Sequence, residues 1–452
     1  MIRIEGFDNA KQLFTRKTFL ESFAASSQLA TQPENTSQEK PSPQEVVGRI
    51  LADVHDRGDE ALFYYTRELD GVDLDSLEIG KQEISAAYEM VDEKLISALK
   101  LAAKRIRQFH SACEYKSGIV FVDRNLGRKI CPLDKVGLYI PGGTAVYPST
   151  VLMTAIPAKI AGVEEIIITS PPGKNGSIAA PTLVAADIAD VSRIFKVGGA
   201  QAIAAMAFGT ESIPKVDKIC GPGNIFVTLA KKMVYGNVAI DGLQGPSEII
   251  VVADETANPS FCAADLLAQA EHDALASAIL ITTSSELANR TEREIASQLI
   301  KMSRKTIATQ AIKKGIIVLV RNIDEAIELV NLYAPEHLSL MISDASSIMH
   351  RIHNAGCMFI GENSPVVLGD YIAGPSHVLP TGGSARFTSP LGVDDFLKTI
   401  NIVALDRVTM QELTQPAITI ARAEGLDAHA RAASLRVETP EKAKKQQQNP
   451  ES

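Results

Sequence analysis

The chain has 452 residues and a formal net charge of 45 − 54 = −9, with a sequence pI near 5.5. Hydrophobic residues make up 45% of it and charged residues 22%, which excludes global disorder, a fibrous repeat and a small disulfide scaffold and fits a globular chain of two to four domains at ~100–200 residues each. An acidic surface repels phosphate backbones, so no nucleic-acid partner is expected; no stretch reaches the ~18 apolar residues of a membrane span, so no membrane partner is expected either.

Met1 to Gly6 carries Glu5 where a signal peptide would be basic and then apolar. The thiols Cys113, Cys131, Cys220, Cys262 and Cys357 are an odd, scattered set without a CxxC pair. Reduced cysteines in a cytoplasm fit that pattern.

Residues 1–23 read as an amphipathic helical start, and the Ser-, Gln- and Pro-rich run 26–44 as an exposed insertion. From Glu45 to His110 the pattern is helical. Val46, Ile50, Leu51 and Val54 recur at 3–4 spacing, as do Leu95, Leu99, Ala102, Ala103 and Ile106. Gly58-Asp59 marks the end of the first of these helices. Beyond Pro132, short strands are expected at 136–140, 165–169, 193–197 and 218–220, separated by helical stretches. A second series follows at 248–253, 278–282, 315–320 and 358–360. Such alternation implies an α/β fold with two parallel sheets in tandem. The organisation expected is a helical region 1–130, α/β lobes at 131–240 and 241–390, a small C-terminal domain 391–436 and a disordered tail 437–452. No internal repeat is present.

Several segments can carry chemistry. Asn258 is placed to cap a helix opening at Pro259, and on that helix Gln269 and His272 share a face. They are either two metal ligands or part of a solvated polar face. Glu336 and His337 follow Pro335, which should interrupt the preceding helix. Pointing in different directions, they suit a proton relay, with one group on a water and one on a hydroxyl. The alternative is a surface Glu beside a satisfied core His. Asp370 and His377 lie in the glycine-rich run 369–383, while Glu424 and His429 sit in one small helical segment near the C-terminus. Pro141-Gly142-Gly143 and Gly221-Pro222-Gly223-Asn224 follow strand candidates, where open α/β sheets bind ligands. Neither is a GxGxxG fingerprint.

Together these segments resemble the histidinol dehydrogenase family. The resemblance runs through Gly137-Leu138-Tyr139-Ile140-Pro141-Gly142-Gly143, Val197-Gly198-Gly199-Ala200-Gln201-Ala202-Ile203, Gly245-Pro246-Ser247-Glu248 and Pro335-Glu336-His337-Leu338. It continues through the 369–383 and 424–429 segments and covers nearly everything from 45 to 436. Gln244 stands where the family usually has a small residue and is expected to reshape the pocket near Ser247. Pro390-Leu391-Gly392 replaces a more usual Gly-Leu-Ser.

The resemblance implies oxidation of L-histidinol to L-histidine by two NAD, the last step of histidine biosynthesis. It implies one zinc per subunit on Gln269, His272, Asp370 and His429, and NAD contacts from Tyr139, Gln201 and Asn224. Ser247, His377 and Glu424 would join His337 and the metal ligands around the substrate, with Glu336 and His337 as the catalytic acid–base pair. It also implies two incomplete Rossmann-like lobes with parallel sheets, plus small terminal domains exchanged across a homodimer with shared active sites.

Overall fold

The computed structural model describes residues 1–15, 41–113, 117–142 and 146–438. Most of the 26–44 insertion, the tail from 439 onward and Gly143 lie outside the described residues. The strands, in chain order, are β1 (Ile2–Glu5), β2 (Gly118–Phe121), β3 (Leu126–Pro132), β4 (Lys135–Tyr139), β5 (Glu165–Thr169), β6 (Arg193–Phe195) and β7 (Lys218–Cys220). Then follow β8 (Ala239–Ile240), β9 (Glu248–Ala253), β10 (Ser277–Thr282), β11 (Ile316–Leu319), β12 (His337–Met341), β13 (Cys357–Ile360) and β14 (Leu397–Val403).

Contacts divide the chain into two compact units, one of 1–115 with 132–397, the other of 116–131 with 398–452. The larger unit holds a five-stranded sheet ordered β6-β5-β4-β7-β8 and a six-stranded sheet ordered β1-β11-β10-β9-β12-β13. All pairings described in both are parallel. These strands are nearly unbroken apolar runs because helices cover both faces, and strand geometry sends alternate residues to opposite sides. On β9, Ile249 and Val251 enter one core while Ile250 and Val252 enter the other. On β5, Ile166 and Ile168 separate from Ile167 in the same way.

The smaller unit carries a three-stranded sheet, β14-β3-β2, and two helices, Arg407–Ala423 and Asp427–Glu438. Asp406 caps the first helix by accepting the Thr409 N–H at 2.8 Å, and Asn125 donates to the Thr409 hydroxyl at 3.0 Å.

Several elements differ from the sequence expectation. β2 and β3 form an antiparallel pair at the end of the region 1–130 that was read as helical. The helical start begins instead with β1, which pairs with β11 in register Ile4↔Val318, and a helix follows at Phe7–Phe14; residues 16–23 lie outside the described residues. Pairing along a sheet edge outweighs local helical preference there. β12 begins at His337 itself, where a site motif without a strand was expected. Among the described residues no helix is long and apolar enough to cross a membrane. All five thiols are free, Cys220 and Cys262 being buried.

Candidate active site

The six-stranded sheet presents the amino ends of β9, β12 and β13. The Ile323–Tyr333 helix stops at Ala334, which takes a left-handed φ of 54°, and Pro335 prevents its continuation. The chain therefore turns sharply into β12, burying Glu336 and His337 at 7% and 4% exposure. Gly356 permits the close approach of the next strand, since a Cβ there would lie 2.6 Å from the Glu336 carbonyl oxygen.

The side chains of Glu336 and His337, expected to diverge, approach each other. Glu336 Oε2 accepts the Glu248 N–H at 2.8 Å and lies 3.5 Å from His337 Nδ1. His337 Nδ1 is 3.2 Å from the Glu248 carbonyl oxygen, and Nε2 is 3.2 Å from Asp370 Oδ1. Both ring nitrogens thus face acceptors. Burial disfavours the imidazolium, yet the Glu336 and Asp370 carboxylates hold its pKa well above the ordinary imidazole value.

Asp370 lies on the short Val366–Tyr371 helix, where Gly369 lets the Phe359 ring pack against the backbone. Burial pushes the Asp370 carboxyl up, but His337, then His377 and His272, bring it net below its usual value. His377 is wired oppositely to His337. Its Nδ1 donates to the Asp370 carbonyl oxygen at 2.7 Å, and its Nε2 lies 3.0 Å from the Thr150 hydroxyl. Burial, the largest influence, lowers its pKa, so a neutral ring accepting the Thr150 proton fits both contacts. Thr150 was not anticipated from sequence, because a threonine inside the Pro148–Ala161 helix carries no motif.

Asn258 caps the Pro259–Ala270 helix through the Ser260 N–H at 2.9 Å, as expected. That helix ends at Ala270, however, so His272 is not on it with Gln269. The His272 N–H reaches back to the Gln269 carbonyl at 3.3 Å in a tightened turn, which swings the imidazole out to an exposed position. Gln269 is buried, at 3% exposure. A cavity of about 440 Å³ opens beside His272, lined by Glu271, Arg304, Tyr147, Ser149 and Tyr371 together with Leu95 and Leu99. Ser247 is partly buried at the entry to β9.

The five-stranded sheet presents its carboxyl ends. β4 has β5 on one side and β7 on the other, which makes the crevice above β4 and β7 the topological switch point. Tyr139 closes β4, and its hydroxyl accepts the Gly199 N–H at 3.1 Å. Gln201, 1% exposed, begins the Gly199–Phe208 helix. Asn224 caps the Ile225–Val234 helix, its Oδ1 accepting from Phe226 and Val227 at 3.0 and 3.1 Å.

The Gly221–Asn224 loop is anchored from below by residues that spacing did not single out. The Gly221 N–H donates to Asp241 at 2.7 Å, and buried Lys231 donates to the Gly221 carbonyl at 2.9 Å while pairing with Asp241. Lys231 also donates to Gln244 Oε1 at 2.9 Å. Gln244 therefore turns its amide to this lysine, whereas the sequence suggested an effect on the pocket near Ser247.

Glu424 and His429 belong to the smaller unit and are both exposed. They do not share one helix. Glu424 ends the Arg407–Ala423 helix, Gly425 turns the chain with φ 73°, and His429 lies in the next helix. Among the described residues no three His, Cys, Asp or Glu side chains form a metal-holding group.

A family model described as histidinol dehydrogenase matches residues 33–437. A histidinol dehydrogenase from Dehalococcoides mccartyi (strain CBDB1) is 56% identical over 400 residues, covering 88% of this chain and 91% of that one. One from Methanocaldococcus jannaschii is 49% identical over 394 residues, covering 86% and 92%. The crystal structure of histidinol dehydrogenase from Elizabethkingia anophelis aligns with a TM-score of 0.88 at 37% identity, covering 97% of this chain and 98% of that one. The chain belongs to the histidinol dehydrogenase family.

Proposed function

We infer that this protein oxidises L-histidinol to L-histidine through the aldehyde, consuming two NAD, as the closing step of histidine biosynthesis in the cytoplasm. The observation that carries this reading is the contact chain Glu248–Glu336–His337–Asp370 at the amino ends of β9 and β12, in a chain of this family. NAD, when bound, supplies the hydride acceptor, because no side chain can take a hydride.

His337 is the base. The Glu248 carbonyl fixes Nδ1, leaving Nε2 as the nitrogen that takes the hydroxyl proton as hydride leaves the carbinol carbon. The aldehyde must add water before it has a second hydride to give. Glu336, pinned through Oε2 by the Glu248 N–H, has Oε1 to take the proton of that water. Once its first proton has passed to solvent, His337 receives the hydrate's hydroxyl proton, so the two oxidations share one base.

Gln269, His272, Asp370 and His429 would hold one zinc, which when bound orients the substrate's imidazole and amine nitrogens. The donor set suits zinc, with two imidazoles and two oxygen ligands. One observation supports the fit: His272 lies near enough to Asp370 to help lower that carboxyl's pKa. Ser247, His377 and Glu424 would bind substrate with His337 and the metal ligands, while Tyr139, Gln201 and Asn224 would contact NAD.

The lobes at 131–240 and 241–390 are read as incomplete Rossmann-like units, flanked by the helical 1–130 region and the small 391–436 domain. The family resemblance supports a homodimer in which Glu424 and His429 of each chain complete the other chain's site. A heterodimer with His337→Asn on one chain and His429→Ala on the other then recovers about half the parent's activity; an inactive heterodimer excludes sharing. For the reaction itself, limiting histidinol should yield two NADH per molecule. One NADH with trappable aldehyde overturns the four-electron assignment.

A further inference from the structure

Lys231 is 1% exposed, its ammonium enclosed beneath the Gly221–Asn224 loop. An ammonium has three N–H donors, and here all three are engaged. They go to the Gly221 carbonyl at 2.9 Å, to Gln244 Oε1 at 2.9 Å and to the Asp241 carboxylate. Taking an ammonium out of water is costly even when it is paired, and a well-packed apolar side chain of similar volume is often no less stable. Stability alone is therefore a poor reason for a lysine here. Enclosed and fully engaged, Lys231 cannot itself meet a ligand, so its effect must run through what it holds.

Gly221 is held from both sides. Lys231 takes its carbonyl, and Asp241, paired with that lysine, takes its N–H at 2.7 Å. Gly221 also abuts the Tyr139 carbonyl with no room for a Cβ between them, and the Tyr139 hydroxyl holds Gly199 at the start of the Gln201 helix. Three residues on, Asn224 is exposed, and its Oδ1 is spent on capping the Ile225–Val234 helix. Its amide N–H groups are what remains for a ligand. Lys231 lies about two turns along that same helix, so its grip fastens the loop to the helix the loop opens. Gln244 is itself fixed, its carbonyl accepting the Thr228 hydroxyl at 3.2 Å and the following Gly245 N–H reaching Thr381 at 2.6 Å.

We propose that Lys231 is a positioning residue for the dinucleotide: by gripping Gly221, Asp241 and Gln244 it fixes the Gly221–Asn224 loop and so sets the affinity for NAD. Gln244 is the third arm of that grip. This rests on the reading of Tyr139 and Asn224 as NAD contacts and extends it to residues that touch no cofactor. The acid–base residues are anchored elsewhere, on Glu248 and Asp370. A loosened loop should therefore cost affinity for NAD and spare the chemistry.

Calorimetric titration of NAD into the full chain, with L-histidine in the substrate site, reads the affinity directly, and steady-state kinetics separate KM from kcat. Lys231→Met keeps the side-chain volume and removes all three donors; it should weaken NAD binding about tenfold or more and raise the NAD KM alike. kcat at saturating NAD and the histidinol KM should stay within about threefold of the parent's. If stranding Asp241 unfolds that variant, Gln244→Met and Gln244→Glu carry the test. The methionine lacks an acceptor and should weaken NAD binding about threefold, whereas the glutamate keeps one at the same reach and should bind NAD as the parent does. Unchanged NAD affinity in Lys231→Met or in Gln244→Met overturns the proposal, as does a loss that falls on kcat or the histidinol KM alone. A parent that binds no NAD refutes the cofactor reading and this proposal together; variants that bind NAD as well as a binding parent refute this proposal alone.

Discussion

The two parallel sheets of the larger unit offer opposite ends to chemistry. The five-stranded sheet offers the carboxyl ends of β4 and β7, with glycine loops and helix starts; the six-stranded sheet offers the amino ends of β9, β12 and β13. The first arrangement presents N–H groups and close backbone approach, which suits a nucleotide. The second presents ionisable side chains locked to one another: Glu336 to Glu248, His337 to Glu248 and Asp370, and His377 to Asp370 and Thr150. The acid–base end is already hydrogen-bonded within the protein, whereas at the other end Gln201 Oε1 has no partner among the described residues. Lesions at the second sheet should therefore cut rate, and lesions at the first should cut binding or folding.

The largest effect belongs to His337. Its replacement by Asn removes the group proposed as the base of both oxidations and should lower kcat by about 10²–10⁴-fold, whether histidinol or the aldehyde is supplied. Steady-state assays with each substrate check this. A loss under tenfold with either would remove His337 from the chemistry.

Next comes Gly221, at the opposite sheet end. With φ 115°, and with a Cβ destined to lie 2.1 Å from the Tyr139 carbonyl oxygen, Gly221→Ala must push β4 and β7 apart. A cost of about 3 kcal/mol is expected from backbone strain and clash. Gly245→Ala is the control, because its nearest neighbour, Thr381 Oγ1, stands at 3.6 Å. Thermal melts should separate the two variants clearly. Equal melting points would mean that the loop at β7 yields freely.

These two residues also mark how far the sequence could be read. The strands expected at 165–169, 218–220 and 248–253 form with those bounds, because short apolar runs between turn residues carry their own signal. The Asn258-Pro259 cap is likewise local chemistry. β12 was hidden because its first residue is the histidine of the site motif, and β1 because four residues make sense as a strand only beside a distant β11. The site residues Glu336, His337, Asp370 and His377 were legible as motifs. Their mutual wiring was not, nor was Thr150. Only the fold reveals that Gln244 turns to Lys231.

Returning to the acid–base end, Glu336→Gln separates the two half-reactions. The amide can still accept the Glu248 N–H that now goes to Oε2, so the turn into β12 keeps its anchor, but an amide cannot take a proton from water. Aldehyde oxidation should slow about hundredfold, and the histidinol half much less. Rapid-mixing measurement of each half decides the matter; equal slowing would merge the two roles into one.

The smallest effect concerns stability, at the π-helical turn Thr66–Asp70. Burial raises the Asp70 carboxyl from 3.8 to about 6, so the folded protein prefers its protonated form. In the unfolded chain the group ionises at its lower, ordinary value. As pH rises from about 4 to about 6, the unfolded state loses this proton first, and folding stability falls. Above pH 6 the folded protein carries an ionised, partnerless carboxylate at a standing cost of about 1–3 kcal/mol. Asp70→Asn cannot ionise, so it should be more stable than the parent at pH 7.5 and indistinguishable from it below pH 4. Denaturant midpoints at several pH values measure the difference, and a variant less stable than the parent at pH 7.5 contradicts it.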